Sequence, residues 1–304
     1  MFVGIGNPVY DFIQTPQVST GTRILSGCST NGCLAVSKLG KPAYLVGCVG
    51  SDFHDRFVAD LQRFDIQHTV YPTEETGGFS LIYDARGDRT LDVLGVAPPV
   101  PDFPPVVADA AFVLVGPILG ETPVSLVERL RDATPAPILL DPQGCLRRIL
   151  DDGRIERYRN PDIDRIIPLC DVVKANEHEA RIITGIDPTA NAEAAQAAAE
   201  RLYHLGCKIA IVTLAAEGSV IYDGRDTIRI PAYATNAVDP TGAGDTYAGG
   251  FMACYSEQNA DLREVGFFAS CVASVMVENT GPDFPLTRDE ADHRTQKLLA
   301  AYQS

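Results

Sequence analysis

The chain has 304 residues, of which 45% are hydrophobic and 21% are charged. These proportions are typical of a globular protein and exclude a disordered chain, and the length suits one large domain or two average ones. The net charge of −15, without a cluster of Lys or Arg, argues against a protein that binds nucleic-acid phosphates. Because no apolar stretch reaches the roughly 18 residues of a membrane helix and the N-terminus lacks a signal-peptide pattern, we expect a cytoplasmic protein without a membrane partner.

Short apolar runs alternate with amphipathic segments along the chain. The predicted strands are MFVGIG, AYLVGCV, AAFVLVG, APILLDP, CDVVKAN and CKIAIVTL. The first predicted helix is capped by Ser29 or Thr30 and ends at Gly40. The other predicted helices are the segment DFHDRFVADLQRF and residues 122–132, 176–184 and 191–205. GSVIYDG and DTIRIPAY predict a hairpin near one edge, and the chain from Ala243 onward is mostly helical. Strands that alternate with helices form βαβ units, so the pattern predicts an α/β fold with a mainly parallel sheet.

Two regions interrupt this alternation. Residues 8–26 and about 76–97 are rich in Thr, Gly and alternating apolar residues. This pattern predicts short antiparallel strands that form a small lid beside the main sheet. The chain has no internal repeat, low-complexity tract or linker, so we expect a single domain over residues 1–304 that carries this lid.

Cysteine and histidine spacing gives no sign of a zinc site. The chain has eight cysteines without a CxxC pair and five histidines without an HxxxH or HExxH pattern. We therefore expect reduced, mostly buried thiols. The cysteines are Cys28, Cys33, Cys48, Cys145, Cys170, Cys207, Cys254 and Cys271.

The stretch DPTGAGD, residues 239–245, has the features of an anion site. Pro240 stiffens the approach, and Gly242 and Gly244 allow backbone conformations that other residues avoid. The residues that follow are helical in character, so the amides of this turn lie at a helix N-terminus with its partial positive charge. Such a turn suits a phosphate, or the negative charge that develops during phosphoryl transfer.

Asp245, which closes this turn, has two interpretations. It is either the N-cap of the following helix or a base that takes a proton from an attacking hydroxyl. The helix terminus favours its ionised form in both cases. Competing phosphate motifs are missing from the sequence: GxxxxGK[ST] does not occur, and GIGNPV lacks the third glycine of GxGxxG.

Three motifs together resemble the ribokinase-like, or PfkB, family of carbohydrate kinases. They are GCSTNGCLAVSKLG, KANEHE and DPTGAGD, and they follow the family's order within a resemblance that runs from Gly4 to about Gly281. The resemblance implies a doubly wound sheet flanked by helices, a β-strand lid over the acceptor, and transfer of the γ-phosphate of MgATP to an alcohol. Exposed lid strands can pair between molecules, which makes a homodimer through the lid a further expectation.

The resemblance assigns the catalytic and metal-binding residues. Asp245 matches the family's base, and the backbone of three residues forms the anion hole: Gly242, Ala243 and Gly244. Asn176 and Glu179 match an N-x-x-E motif that holds Mg²⁺ through its waters. The alternative for this pair is an exposed helix start capped by Asn176. Asp239 and Thr241 match positions that help to form a monovalent-cation site, which implies K⁺.

Further matches imply the nucleotide site. VTLAAEGS resembles a family turn of the form V-T-L-G-x-x-G, in which Ala215 replaces the usual glycine and leaves the nucleotide preference open. CVASVMVENTG resembles the helix and loop beside adenine. The residues assigned to the nucleotide are Thr213, Ala215, Gly218, Asn279, Gly281 and Lys174.

Matches in the first half of the chain imply the acceptor site. Asp11 matches the family's early sugar-binding aspartate, and SGCSTN matches a G-G-x-x-x-N stretch through Gly27 and Asn31, although Ser26 and Cys28 depart from its glycine-rich form. LDPQGCLRR resembles a D-x-Q-G-x-x-R stretch of inositol-kinase-like members and contributes Asp141, Gln143 and Arg147.

The leading hypothesis is therefore an ATP-dependent kinase of a small sugar or polyol, including an inositol. A nucleoside acceptor is the enzymatic alternative, with an apolar clamp from Phe12, Phe79, Leu81 and Tyr83. A phosphosugar acceptor would need basic partners such as Arg23, Arg86 and Arg89. A non-catalytic sugar sensor is the alternative outside enzymes, and the intact base and anion turn argue against it.

Overall fold

The computed structural model describes residues 1–84, 89–255 and 261–303. In chain order the strands are β1 (Phe2–Ile5), β2 (Val9–Gln14), β3 (Ile24–Ser26), β4 (Ala43–Gly50), β5 (Ile66–Thr73), β6 (Gly78–Tyr83), β7 (Arg89–Gly95), β8 (Phe112–Val115), β9 (Ile138–Leu140), β10 (Arg147–Ile149), β11 (Ile155–Arg157), β12 (Val172–Asn176), β13 (Ile209–Thr213), β14 (Ser219–Tyr222) and β15 (Thr227–Ile230). The helices are α1 (Cys28–Lys38), α2 (His54–Arg63), α3 (Val124–Ala133), α4 (Ile163–Ile166), α5 (Glu177–Thr184), α6 (Ala192–Tyr203), α7 (Ala243–Cys254), α8 (Leu262–Val277) and α9 (Arg288–Gln303).

The main sheet has nine strands in the order β15-β14-β13-β12-β9-β8-β1-β4-β5. Its seven strands from β13 to β5 are parallel, and the hairpin β14–β15 adds the antiparallel edge that the sequence predicts. The chain winds outward from β1 in both directions, which confirms the doubly wound α/β fold. In sheets of this kind ligands bind outside the carboxyl ends of the strands.

The two faces of the sheet bury different sets of side chains. In β8, Phe112 and Leu114 join a core with α1, α2, α7, α8 and α9, whereas Val113 and Val115 join a second core with α3, α4, α5 and α6. Successive strand residues point to opposite faces, so a continuously apolar strand fills both cores. This is why the central strands read as unbroken apolar runs in the sequence.

A second, four-stranded sheet has the order β3-β2-β6-β7. Its strands lie within the two regions that the sequence singles out, residues 8–26 and about 76–97, although 85–88 lie outside the described residues. The prediction that these strands are antiparallel is wrong for one pair: β2 and β6 run parallel, whereas β2–β3 and β6–β7 are antiparallel. β2 and β6 are not joined by a tight turn, because β3, β4 and β5 lie between them in the chain. Their pairing is therefore not restricted to the antiparallel direction of a hairpin.

Helix α1 starts earlier than the sequence suggests. Its N-cap is Gly27, without a capping side chain, so neither Ser29 nor Thr30 is the cap. Both lie inside the first turn, where the Ser29 hydroxyl donates to the carbonyl of Gly116. The eight cysteines are free thiols, and none of the helices in the described ranges combines the length and hydropathy needed to cross a membrane.

Candidate active site

A cavity of about 680 Å³ opens at the carboxyl ends of β9, β12 and β13, between the main sheet and the small sheet. This volume is in the range of small-molecule sites. Most of the residues selected from the sequence line it: Asp11, Gly27, Asp141, Gln143, Arg147, Lys174, Asn176, Glu179, Thr213, Ala215, Gly218, Thr241, Gly242, Ala243, Gly244 and Asp245. Asn31, Asp239, Asn279 and Gly281 are not among the lining residues.

The glycine turn is shaped by two side chains that approach it closely. Gly242 has φ +78° and is the N-cap of α7. A Cβ atom there would lie 2.8 Å from Asn31 Nδ2, and a Cβ atom on Gly244 would lie 2.7 Å from Lys174 Nζ. The two glycines therefore allow an amide from one side and an ammonium from the other to reach the turn.

The interpretation of Asp245 as an N-cap is wrong. Because α7 begins at Ala243, Asp245 is the third residue of the helix, and its side chain points away from the helix axis toward other elements. Asn31 Nδ2 donates to its Oδ2 over 2.9 Å, and Gln143 Nε2 donates to its Oδ1 over 3.3 Å. The carboxylate is thus held between α1 and the turn after β9.

A buried ion pair lies beneath the turn. Lys174 Nζ is 2.7 Å from Asp141 Oδ2, and the two side chains are only 3% and 2% exposed. Burial disfavours the ammonium, but the charges of Asp141, Glu179 and Asp245 outweigh it and raise the pKa of Lys174. Burial and the charge of Asp141 raise the pKa of Asp245, against Lys174, Asn31 and Cys28, which lower it.

Asn176 and Glu179 form a reciprocal cap at the start of α5. The side chain of Asn176 accepts from the backbone amides of His178 and Glu179. The carboxylate of Glu179 accepts from Asn176 N over 2.8 Å and from Asn176 Nδ2 over 2.7 Å. Burial, followed by the charge of Asp141, raises the pKa of Glu179 to about 7. The capping interpretation of Asn176 is confirmed, but Glu179 is buried, and both residues also line the cavity.

The part of the cavity that the sequence assigns to the nucleotide lies near β13. Ala215 has φ +48°, a conformation that favours glycine, so its backbone explains why the resembled turn usually has glycine there. Sequence analysis missed the segment before the glycine turn; it placed the helix of CVASVMVENTG beside adenine but did not name the residues of α8 that line the cavity. The unnamed lining residues are Ala232, Tyr233, Ala234, Thr235, Ala237, Ser270, Ala273, Ser274 and Val277. For the segment before the turn, the signal in the sequence was the position of PAYATNA, which only Val238 separates from DPTGAGD.

Asn279 and Gly281 follow the end of α8. Asn279 Nδ2 donates to the carbonyl of Val275 over 2.8 Å, which closes the last turn of the helix. A Cβ atom on Gly281 would meet the side chain of Ile24 at 2.7 Å. The structure therefore does not bring these two residues to the cavity wall, and their role at adenine stays a prediction.

The part of the cavity that the sequence assigns to the acceptor combines one carboxylate with an apolar wall. Asp11 is buried, and its Oδ1 accepts from the amide of Phe79 over 2.8 Å. Of the four suggested nucleoside-clamp residues, Phe79 and Leu81 line the cavity, whereas Phe12 and Tyr83 do not. The remaining apolar lining on this side comes from Val9, Leu91 and Ile118.

Among the described residues, the arginines suggested for a phosphosugar acceptor do not form an anion site. Arg23 donates to the carbonyls of Tyr10 and Gly77 and lies over the ring of Phe53. Arg86 and the side chain of Arg89 lie outside the described residues. The small sheet instead contacts the glycine turn through a neutral pair, in which the hydroxyl of Thr241 is 2.9 Å from that of Tyr83. Asp239 is buried beside them, and its Oδ1 accepts from Thr241 N.

The sequence matches one protein-family model over almost its whole length. The model described as pfkB family carbohydrate kinase covers residues 4–289. The chain belongs to the pfkB family. A pfkB kinase transfers phosphate to a hydroxyl group, so the resemblance seen in the motifs is confirmed and the protein is a phosphotransferase.

Individual pfkB relatives differ in their acceptors. A nucleoside kinase of Methanothermobacter thermautotrophicus is 28% identical, with 92% of this chain and 90% of the relative covered. A pyrophosphate-dependent kinase of the ribokinase family, complexed with a pyrophosphate analog and myo-inositol, superposes with a TM-score of 0.78 at 20% identity, covering 96% and 100% of the two chains. Arabidopsis thaliana ribokinase, complexed with ribose and ATP, superposes with a TM-score of 0.77 at 21% sequence identity. The superposition covers 97% of this chain and 98% of the ribokinase chain. These two structures confirm the ribokinase fold.

Proposed function

We propose that this pfkB kinase transfers the γ-phosphate of MgATP to a hydroxyl of a small neutral sugar or polyol, including an inositol. The observation that carries the proposal is the position of Asp245: a half-buried carboxylate at the cavity wall, beside the glycine turn at the start of α7, with donors on both of its oxygens. Donors on both oxygens favour the ionised form, which is the form that can accept a proton.

In the proposed reaction Asp245 takes the proton of the attacking hydroxyl. The turn of Gly242, Ala243 and Gly244 places backbone amides and the positive end of α7 next to the same space, where they stabilise the charge on the transferring phosphoryl group. Lys174 lies directly under Gly244 and adds a cation to the phosphate site. Phosphoryl transfer depends mainly on positioning and on charge stabilisation, and this arrangement supplies both.

The charges around the cavity fit a divalent cation. Asp141 and Glu179 are buried carboxylates and Asp245 is half-buried, while Lys174 and Arg147 are the cations that face them in the described chain. When all five are ionised the group has one negative charge in excess, which favours a cation. We assign Mg²⁺ to Asn176 and Glu179, acting through water, where it would neutralise the phosphates of the donor. Asp239 and Thr241 are the proposed K⁺ ligands.

The acceptor is proposed to be neutral. Asp11 repels an anion, and Arg147 is already engaged with Gln143 and with the carbonyl of Ile118. A carboxylate beside an apolar wall suits a polyol, whose hydroxyls need acceptors and whose ring has a C–H face. The nucleoside kinase relative and the lining residues Phe79 and Leu81 favour a nucleoside as the second candidate.

Further parts of the proposal concern the whole molecule. We propose one domain in which the small sheet acts as a lid, because Tyr83 and Thr15 contact the segment around the glycine turn. Exposed Ile82 and Leu94 on that sheet would support a homodimer, and we place the enzyme in the cytoplasm. A sensor without activity would not need a proton acceptor held at the phosphate turn.

A coupled assay of ADP release, run across sugars, polyols, inositols and nucleosides, tests the proposal. A sugar or inositol should give the highest kcat/KM. A nucleoside that is better by more than about tenfold, or 1.4 kcal/mol in the transition state, would overturn the acceptor class. The same panel with pyrophosphate as donor, followed by phosphate release, tests the assignment of ATP.

A further inference from the structure

Gln143 and Arg147 are joined in a hydrogen-bonded chain that ends on Asp245. Arg147 Nη2 donates to Gln143 Oε1 over 2.8 Å, and Gln143 Nε2 donates to Asp245 Oδ1 over 3.3 Å. Arg147 Nη1 also donates to the carbonyl of Ile118 over 3.2 Å, which fixes the guanidinium group. Both side chains had been selected from the sequence as acceptor ligands, and the structure gives them a different set of partners.

Only one orientation of the Gln143 side-chain amide satisfies both of its hydrogen bonds, to Arg147 and to Asp245. A guanidinium group has five N–H donors and no acceptor, so the side-chain oxygen of Gln143 must face Arg147. The NH₂ end of the amide then faces Asp245. Without Arg147 the amide could rotate so that its oxygen accepts from a protonated Asp245, which would favour the neutral form of the base. Arg147 therefore favours the amide orientation that stabilises the carboxylate.

We infer that Arg147 is a positioning residue that acts through Gln143 to hold Asp245 ionised and correctly oriented. The inference rests on the proposed role of Asp245 as the base. Asn31 supplies the second donor from α1, so the carboxylate is fixed at both oxygens and cannot rotate freely. A base held in this way needs no reorientation when the acceptor hydroxyl arrives.

Within the described part of the chain, three other ionisable groups face Asp245. They are the thiol of Cys28 from α1, the carboxylate of Asp141 after β9, and the ammonium group of Lys174 from β12. The variants below leave all three unchanged. A shift in the titration of the base therefore reports on Gln143 and Arg147.

The test is the pH profile of kcat/KM, whose acid limb reports the base in the free enzyme. Gln143→Leu removes a hydrogen-bond donor to the carboxylate of Asp245. The acid limb should therefore move to higher pH by about one unit or more. Arg147→Met should move it by a similar amount. The double variant should move it no further than Gln143→Leu alone, since the arginine acts through the glutamine. Arg148→Met, a change to the exposed neighbouring arginine, is the matched control and should leave the limb in place.

Other results would overturn the inference. An unmoved limb with a raised acceptor KM would mean that the two side chains bind the acceptor instead. Additive shifts in the double variant would mean that Arg147 acts on Asp245 directly by its charge. If Gln143→Leu fails to fold, the nearly isosteric Gln143→Glu replaces it and should shift the limb at least as far. Full activity of Asp245→Asn would instead overturn the proposed base, which separates the two failures.

Discussion

Asn31 and Asp245 are 214 positions apart in the chain, yet their side chains are joined by a hydrogen bond of 2.9 Å. The contact links α1 to α7 at the glycine turn. It also explains why Gly242 has no side chain, because a Cβ atom there would collide with the amide of Asn31. One contact therefore orients the proposed base and shapes the proposed anion site.

The first prediction concerns Asp245→Asn. This change removes the proton acceptor and keeps the shape of the side chain, so kcat should fall by at least about 10²-fold, the lower end of general-base contributions. Because Asp245 does not cap α7, helix capping is unaffected and the melting midpoint should stay within a few degrees of wild type. Asp261→Asn is the matched control: Asp261 does cap its helix, by accepting from Arg263 N, and lies outside the cavity lining. Activity of Asp245→Asn within about threefold of wild type would contradict the assignment.

The second prediction concerns Gly244→Ala. The new Cβ atom would lie 2.7 Å from Lys174 Nζ and would push the ammonium group away from its buried partner Asp141. Disturbing a buried ion pair costs more stability than the roughly 1 kcal/mol by which a helix favours alanine over glycine. We expect the melting midpoint to fall and kcat/KM for the donor to fall at least about tenfold. Lys174→Met should lower the same parameter, and a Gly244→Ala enzyme with unchanged donor kinetics would show that the position of Lys174 is unimportant.

The third prediction concerns Glu179→Gln. Glutamine keeps the size of the side chain and one accepting oxygen for the cap, but it loses the charge that attracts Mg²⁺. The Mg²⁺ concentration needed for half-maximal rate should rise several-fold, with the fold unchanged by circular dichroism. Glu193→Gln, in the exposed first turn of α6, serves as control. If the Mg²⁺ titration of Glu179→Gln matches wild type, Glu179 belongs only to the cap.

The fourth prediction concerns the contact between the small sheet and the turn. Tyr83→Phe removes the hydroxyl that meets Thr241. A hydrogen bond contributes about 0.5–1.5 kcal/mol net, which corresponds to a change of about twofold to tenfold in the closed population. Acceptor KM should rise within that range, and amide exchange in β6 should become faster. Unchanged exchange and KM would mean that the sheet does not close over the acceptor.

The fifth prediction concerns pH. Burial and Asp141 raise the pKa of Asp245 above its ordinary value of about 3.9. The base works only when ionised, so kcat/KM should fall as the pH drops through this raised pKa and should be independent of pH just above it. The profile is measured at saturating Mg²⁺, with circular dichroism at each pH. A rate that stays constant until the protein unfolds would exclude a titrating carboxylate.

Several features could be predicted from the sequence because they depend on local chemistry. Apolar runs of strand length, separated by amphipathic helices, predicted the parallel sheet, and the small residues of DPTGAGD predicted the glycine turn at the start of a helix. Strand β5 and the hairpin β10–β11 were missed. IQHTVYPT is a half-buried edge strand with polar residues, and β10 and β11 are three residues each and rich in charge. Neither has the periodicity that marks a buried element.

The sequence by itself determined the family motifs and the alternation of strands and helices. It also identified Asp245 as the carboxylate that closes the glycine turn and as the candidate base. The tertiary structure alone decided what Asp245 touches. Its partners Asn31, Gln143 and, through Gln143, Arg147 come from α1 and from the turn after β9, and sheet pairing brings these segments together from distant parts of the chain. It also decided that Asp245 is the third residue of α7, because the turn ends where Gly242 adopts a positive φ. Sequence patterns report local conformation and burial, whereas hydrogen bonds between side chains require the packed arrangement of the whole sheet.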